Sequence, residues 1–237
     1  MATIETYATP SRLYRYRALT DANLEREVSA IADGYIFCPS FKELNDPMEG
    51  AHSESAILKK ARVYANAVAQ VTAAKAKLGI ASFSETHRSE PMWAYYAGDF
   101  RGICVSYNLK KLLAELRDEE HAFVRMGYNE KPPMLLSDHR TADERARMVL
   151  STKTVRWSSE REWRLIRAAR GQATYRSSNC VVGIYMGSRI SAEHRAALLK
   201  VAAQSTIPVW AMEIDKYELS FKRVMRARRP LKKTAPR

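Results

Sequence analysis

Trp157-Ser-Ser-Glu160-Arg-Glu162-Trp163-Arg164 places two carboxylates two residues apart at the head of a run that alternates like a strand. In extended backbone, residues i, i+2 and i+4 share a face. Glu160, Glu162 and Arg164 are therefore expected to point together, with Trp163 and Leu165 turned the other way. A Glu-x-Glu pair on the lip of a strand can hold a ribose hydroxyl and stabilise developing positive charge. The plainer reading is a solvated charge ladder on an edge strand, worth about a few tenths of a kcal/mol per opposed pair.

Outward from this strand, helices and strands interleave irregularly. Leu13-Tyr-Arg-Tyr-Arg17 alternates as a short strand, and a helix opens at Thr20 or Asp21, either of which can cap it, and stops at Gly34. Tyr35 to Cys38 reads as a second strand, and Ser40 to Gly50, with Asn45-Asp46-Pro47, as an irregular loop. Ile57, Ala61, Tyr64, Val68 and Val71 recur at three and four, which predicts one helix over Ser53 to Lys77. Strands are expected at Gly79 to Ser84 and Gly102 to Tyr107, flanking a short aromatic helix from Pro91 to Ala97. A helix at Leu109 to Arg117, a strand at Ala122 to Tyr128 and a polar helix at Asp138 to Leu150 follow. Strands at Glu162 to Ala168 and Val181 to Met186, a helix capped by Ser191, and a last strand at Ile207 to Ile214 complete the pattern. The expectation is a single α+β domain over residues 11–221, with a mixed or antiparallel sheet and flanking helices. Residues 1–10 are an N-terminal extension and 222–237 a basic, flexible tail.

The 237 residues, 46% hydrophobic, suffice for a sizeable core. No apolar run approaches the roughly 20 residues needed to cross a bilayer, and the start lacks the blocks of a signal peptide, so a cytoplasmic protein without membrane partners is expected. Cys38, Cys104 and Cys180 lack metal-ligand spacing and read as buried reduced thiols. The five histidines stand singly, so no metal is expected. Neither a dinucleotide-binding glycine turn, a phosphate loop nor a nucleophile elbow occurs. Of the net charge of +13, eight positive charges and no negative ones lie between Lys222 and Arg237, which leaves +5 for the rest. Lys222, Arg223, Arg226, Arg228 and Arg229 are the candidate contacts to a nucleic-acid backbone.

Taken in order, Leu13-Tyr-Arg-Tyr-Arg17, Leu44-Asn-Asp-Pro47, Ser82-Phe-Ser-Glu85, Met92-Trp93, Tyr96-Ala97, Gly102-Ile-Cys-Val, Glu160-Arg-Glu-Trp-Arg164 and Tyr185-Met-Gly187 resemble the bacterial family called domain of unknown function 2971. The resemblance runs over most of residues 11 to 215. It departs at Tyr95, where the family usually shows a histidine. The family is in turn similar in motif order to proteins of the ADP-ribosyltransferase fold and to abortive-infection proteins of phage defence.

That resemblance implies NAD as co-substrate, with Arg17 or Arg15 as the early basic residue, Ser40 as the second-strand hydroxyl and Glu162 as the late glutamate. The chemistry is consistent with the residue types. An oxocarbenium-like state needs negative potential, which Glu162 supplies, and diphosphate suits an arginine fork such as Arg17. Nicotinamide suits a flat wall from Trp93, Tyr95 or Tyr96, and Glu160 can orient or deprotonate an acceptor. The leading expectation is an NAD-dependent ADP-ribosyltransferase, acting on nucleic acid in phage defence or a toxin-antitoxin setting. Two alternatives stand beside it: a nucleic-acid-binding defence module without NAD chemistry, and a ligand-sensing or scaffold protein without turnover.

Overall fold

The computed structural model describes residues 9–225, apart from 63, 117–119 and 176–177. Among them, eight strands form one sheet: β1 (Arg12–Arg17), β2 (Gly79–Ser84), β3 (Ile103–Asn108), β4 (His121–Arg125), β5 (Glu162–Arg167), β6 (Val181–Met186), β7 (Val209–Asp215) and β8 (Glu218–Met225). Their order is β8-β7-β6-β3-β1-β2-β5-β4. Neighbours run antiparallel except β6 and β7, which are parallel. The helices are α1 (Leu24–Asp33), α2 (Ala56–Lys60), α3 (Tyr64–Lys77), α4 (Glu90–Tyr96), α5 (Leu109–Glu115), α6 (Ala142–Val149) and α7 (Ala192–Gln204). The architecture is α+β with a mixed sheet.

Strand alternation divides the apolar side chains between two faces. Leu13, Phe83, Val105, Leu165 and Ile184 belong to the main core, together with Ile31 of α1, Leu112 of α5 and Leu198 of α7. On the opposite face Tyr16, Cys104 and Tyr185 pack on Trp93 of α4. Farther along that face, Ile80 and Ile166 pack on Ala74 of α3 and Ala146 of α6. All three cysteines are buried.

Local chemistry accounts for many of the boundaries. Gly34 ends α1 in the left-handed region at φ 73°, a conformation that carries little steric cost without a Cβ. Thr141 and Glu144 form a reciprocal capping box at α6, and Ser191 caps α7 by accepting the His194 N–H. Three expectations need correction. The first helix begins at Leu24, because Asn23 bonds the Thr20 N–H and spends the preceding residues on a turn. The long helix over Ser53 to Lys77 is two helices, α2 and α3, divided where Ala61 turns extended at ψ 139°, and Ile57 of the supposed core stripe is exposed. The chain also does not end its sheet at Ile214: β8 pairs along β7 and takes in Lys222 and Arg223, so the tail cannot begin at 222.

The sheet is split in the middle. β1 holds register with β3 from Arg12↔Asn108 to Arg17↔Ile103, and β2 with β5 from Gly79↔Arg167 to Ser84↔Glu162. Between β1 and β2 the ladder holds the single pair Tyr14↔Ser84. The segment after the Tyr35–Cys38 strand wedges into the gap: the Pro39 carbonyl accepts the Ile80 N–H at 2.8 Å, and the Phe37 carbonyl accepts from Arg15 Nη2 at 2.7 Å. Gly79 makes this approach possible, since a Cβ there would lie 2.4 Å from the Ala169 carbonyl oxygen and 3.0 Å from that of Cys38.

Candidate active site in the split of the sheet

The split opens a cleft of about 150 Å³, smaller than the roughly 300 to 1,000 Å³ usual for small-molecule sites. Because it runs between two strands, side chains from both faces of the sheet reach it. Arg15 and Arg17 enter from the face that carries Leu13, and Glu162 and Arg164 from the opposite one. Glu162 lies beside the closed end, opposite Ser84. Arg17 lies three residues along β1 from Tyr14, about 10 Å up the diverging strand at the usual rise.

The two glutamates of the opening motif meet by a route other than strand alternation. Residues Val155–Glu160 form a 3₁₀ helix, and Arg161 takes the left-handed conformation at φ 48° before β5 begins at Glu162. Glu160 is therefore not on the strand. Its carboxylate nevertheless reaches Lys153 Nζ at 2.7 Å, and that same ammonium lies 3.3 Å from Glu162. Lys153 is delivered by the strand Thr152–Thr154, which pairs in parallel with Gly127–Asn129. The Tyr128 hydroxyl accepts the Glu162 N–H at 2.8 Å, and Ser84 Oγ donates to the Glu160 carbonyl at 2.7 Å.

Arg164 completes the cluster. Its Nε donates to Glu162 at 2.7 Å, its Nη1 donates to Glu49 at 2.8 Å and to the Leu150 carbonyl at 2.9 Å, and its Nη2 also binds Glu49. Glu49 and the buried Asp46 come from the loop after Ser40. This acidic end thus gathers Glu49, Glu160 and Glu162 around Lys153 and Arg164, three carboxylates to two cations, and Asp46 also lines the cleft.

The environment separates the two glutamates. Burial pushes Glu160 up, more than Lys153 and the Tyr96 hydroxyl pull it down. Burial works on Glu162 in the same sense, yet the charges of Arg164 and Lys153 outweigh it and hold Glu162 below the usual range. Lys153 is raised, because Glu162 and Glu160 together overcome its own desolvation. Tyr96 donates to Glu160 at 2.6 Å, and burial and that carboxylate raise its phenol.

The remaining expected residues separate into those that reach the cleft and those that do not. Arg17 lines it, with its guanidinium held by Glu27 at 2.9 Å through Nε. Tyr96 lines it as well. Trp93 is fully buried, stacks on Phe100 and donates Nε1 to the His87 carbonyl at 2.8 Å, so it is core and not a ligand wall. Tyr95, one residue before Tyr96 and so turned about 100° around the helix, lines a neighbouring cavity instead. Ser40 is committed to a capping box with Glu43, while Pro39 and Glu43 on either side of it line the cleft. Lys222 and Arg223 lie on β8, where the Arg223 guanidinium sits 5.1 Å over the Trp210 ring. Arg226, Arg228 and Arg229 fall outside the described residues.

Sequence reasoning missed Glu49 and Lys153 as site residues. Glu49 stands two residues after Asn45-Asp46-Pro47, and Lys153 is flanked by threonines with no apolar pattern around it. Neither carries a local signal. Among the described residues, no helix is long and apolar enough to cross a membrane.

No curated protein and no solved structure matches the chain. A family model does match, over residues 92–165. That span opens on the aromatic helix α4 and closes inside β5, so it contains Tyr96, Lys153, Glu160, Glu162 and Arg164. This segment, which carries most of the acidic end of the cleft, is what the chain shares with the family described as a protein of unknown function, DUF2971.

Proposed function

We propose that the split of the sheet binds NAD and that the protein cleaves the nicotinamide–ribose bond, passing ADP-ribose to an acceptor. The observation that carries this reading is the polarity of the cleft. At its open end Arg15 and Arg17 line the cleft, with the single carboxylate of Glu27 behind them on Arg17, a surplus of positive charge suited to a diphosphate. At the closed end the carboxylates outnumber the cations, which suits a pyridinium ribose and the positive charge that grows on it.

In the reaction the bond between C1′ and the nicotinamide nitrogen breaks, and its electron pair leaves with neutral nicotinamide. The acceptor's lone pair forms the new bond to C1′, and the acceptor's proton is released. Glu162, ionised through Arg164 and Lys153, stabilises the oxocarbenium-like state. Glu160, with the higher proton affinity of the pair, takes the acceptor's proton. Tyr96 presents its ring to the cleft and orients Glu160 through its hydroxyl.

The test combines thermal-shift titration with NAD and measurement of nicotinamide release, for the full chain and its Glu162→Gln and Glu160→Gln variants. The expected result is an NAD-dependent rise in unfolding temperature, with release lowered at least about a hundredfold in Glu162→Gln. Glu160→Gln should retain NAD binding and lose transfer. The absence of both a shift and release in the wild type would remove the reading.

A further inference from the structure

A second cavity, of about 350 Å³, abuts the cleft at Glu160 and Met92, which line both. Its walls differ in character from those of the cleft. Tyr95 is 70% exposed and Met48 51% exposed, and Trp157 adds a second aromatic ring whose face is fixed beneath Lys153 Nζ at 4.6 Å. Arg156, exposed, lines this cavity and a third one beside Lys131. Thr154 borders both.

We propose that this cavity is a nucleobase site for single-stranded nucleic acid. Flat, polarisable surfaces from Tyr95, Trp157 and Met48 suit stacking on a base, which tolerates any sequence because every base has a π face. Glu160 offers an acceptor to the ring's N–H groups, and Arg156 and Lys131 suit the flanking phosphates. α4 then serves two ligands with consecutive side chains, Tyr96 toward the cleft and Tyr95 toward the base. Glu160 stands in the shared wall. For the transfer step, though not for binding, this site rests on the NAD reading above: a base held here is the acceptor whose proton Glu160 takes.

The experiment is fluorescence anisotropy of a labelled single-stranded 12-mer, as DNA and as RNA, against the full chain at two salt concentrations. Tyr95→Ala and Trp157→Leu are each expected to weaken binding by about tenfold, and Tyr95→Phe to leave it unchanged. Because Tyr95 is on the surface, its variants should unfold at the wild-type temperature. Replacing Arg226, Arg228 and Arg229 with alanine separates any phosphate attraction of that segment, which would act equally on duplex and single strand. The proposal is overturned if the wild type does not bind, if both aromatic variants bind like wild type, or if duplex or an acidic peptide competes as well as unlabelled single strand. An oligonucleotide signal that depends on Tyr95 without an NAD-induced thermal shift would sink the NAD reading and leave this site standing. The reverse pattern overturns this site alone.

Discussion

Arg164 is buried with bonds to Glu162, Glu49 and the Leu150 carbonyl, so its removal would strand two carboxylates away from water. Breaking one partner of such a cluster costs about 3 to 5 kcal/mol, and Arg164→Met should lower the urea-unfolding free energy by that amount. Tyr96→Phe is milder. It removes one hydrogen bond to a carboxylate, about 1.5 to 3 kcal/mol at most, and leaves the ring in place. Its informative readout is the pH dependence of turnover. Glu160 is raised by burial while accepting the Tyr96 hydroxyl. Loss of that donor should raise Glu160 further and move the acidic limb of the rate profile to higher pH, whereas an unmoved limb would show that Glu160 is not the titrating group.

At the scale of elements, the cleft exists because β1 and β2 pair at one position and the chain around Pro39 fills part of the gap. Gly79 sits where that chain and the Ala169 carbonyl converge. Gly79→Ala should therefore displace backbone, cost about 1 to 3 kcal/mol as other overpacking changes do, and weaken ligand binding through the displaced cleft wall. Calorimetric melting read beside NAD titration checks both. At the N-terminus of α6, Thr141→Ala removes one half of a capping box. It should cost about 1 kcal/mol with turnover unaffected. At the other edge of the sheet, Phe221 of β8 packs on His87, Tyr185 and Trp93. A deletion from Lys222 would cut that strand in half, so a truncation meant to test the basic segment must begin at Arg226.

For the molecule as a whole, the buried charges give acid sensitivity a definite sign. Burial would raise Glu27 and Glu162, but Arg17 in one case and Arg164 in the other hold them below the ordinary carboxylate range. Their folded forms bind protons less readily than the unfolded chain, so their stabilisation is present above the unfolded value of about 4.3 and is lost as pH falls through the folded values. Glu160, raised, opposes this and becomes easier to bury once protonated. Urea-unfolding free energies should accordingly fall as pH drops below about 4.3, and less steeply on that side in Glu162→Gln. By itself, the sequence determined the element types, the strand face carrying Trp163 and Leu165, the glycine stop at Gly34, the Ser191 cap and the burial of the cysteines. Each is local, set by alternation, helical spacing or a cap within a few residues. It also singled out Glu160 and Glu162, though for a reason the backbone does not obey, since a 3₁₀ turn and a left-handed Arg161 bring them together. Only the tertiary structure decided that β1 and β2 part, that Trp93 is core while Tyr95 and Tyr96 serve separate cavities, and that Lys153 and Glu49 complete the cluster. Those outcomes depend on which strands become neighbours and on buried charges finding partners across as many as 115 positions of sequence, and no periodicity within a segment records such pairings.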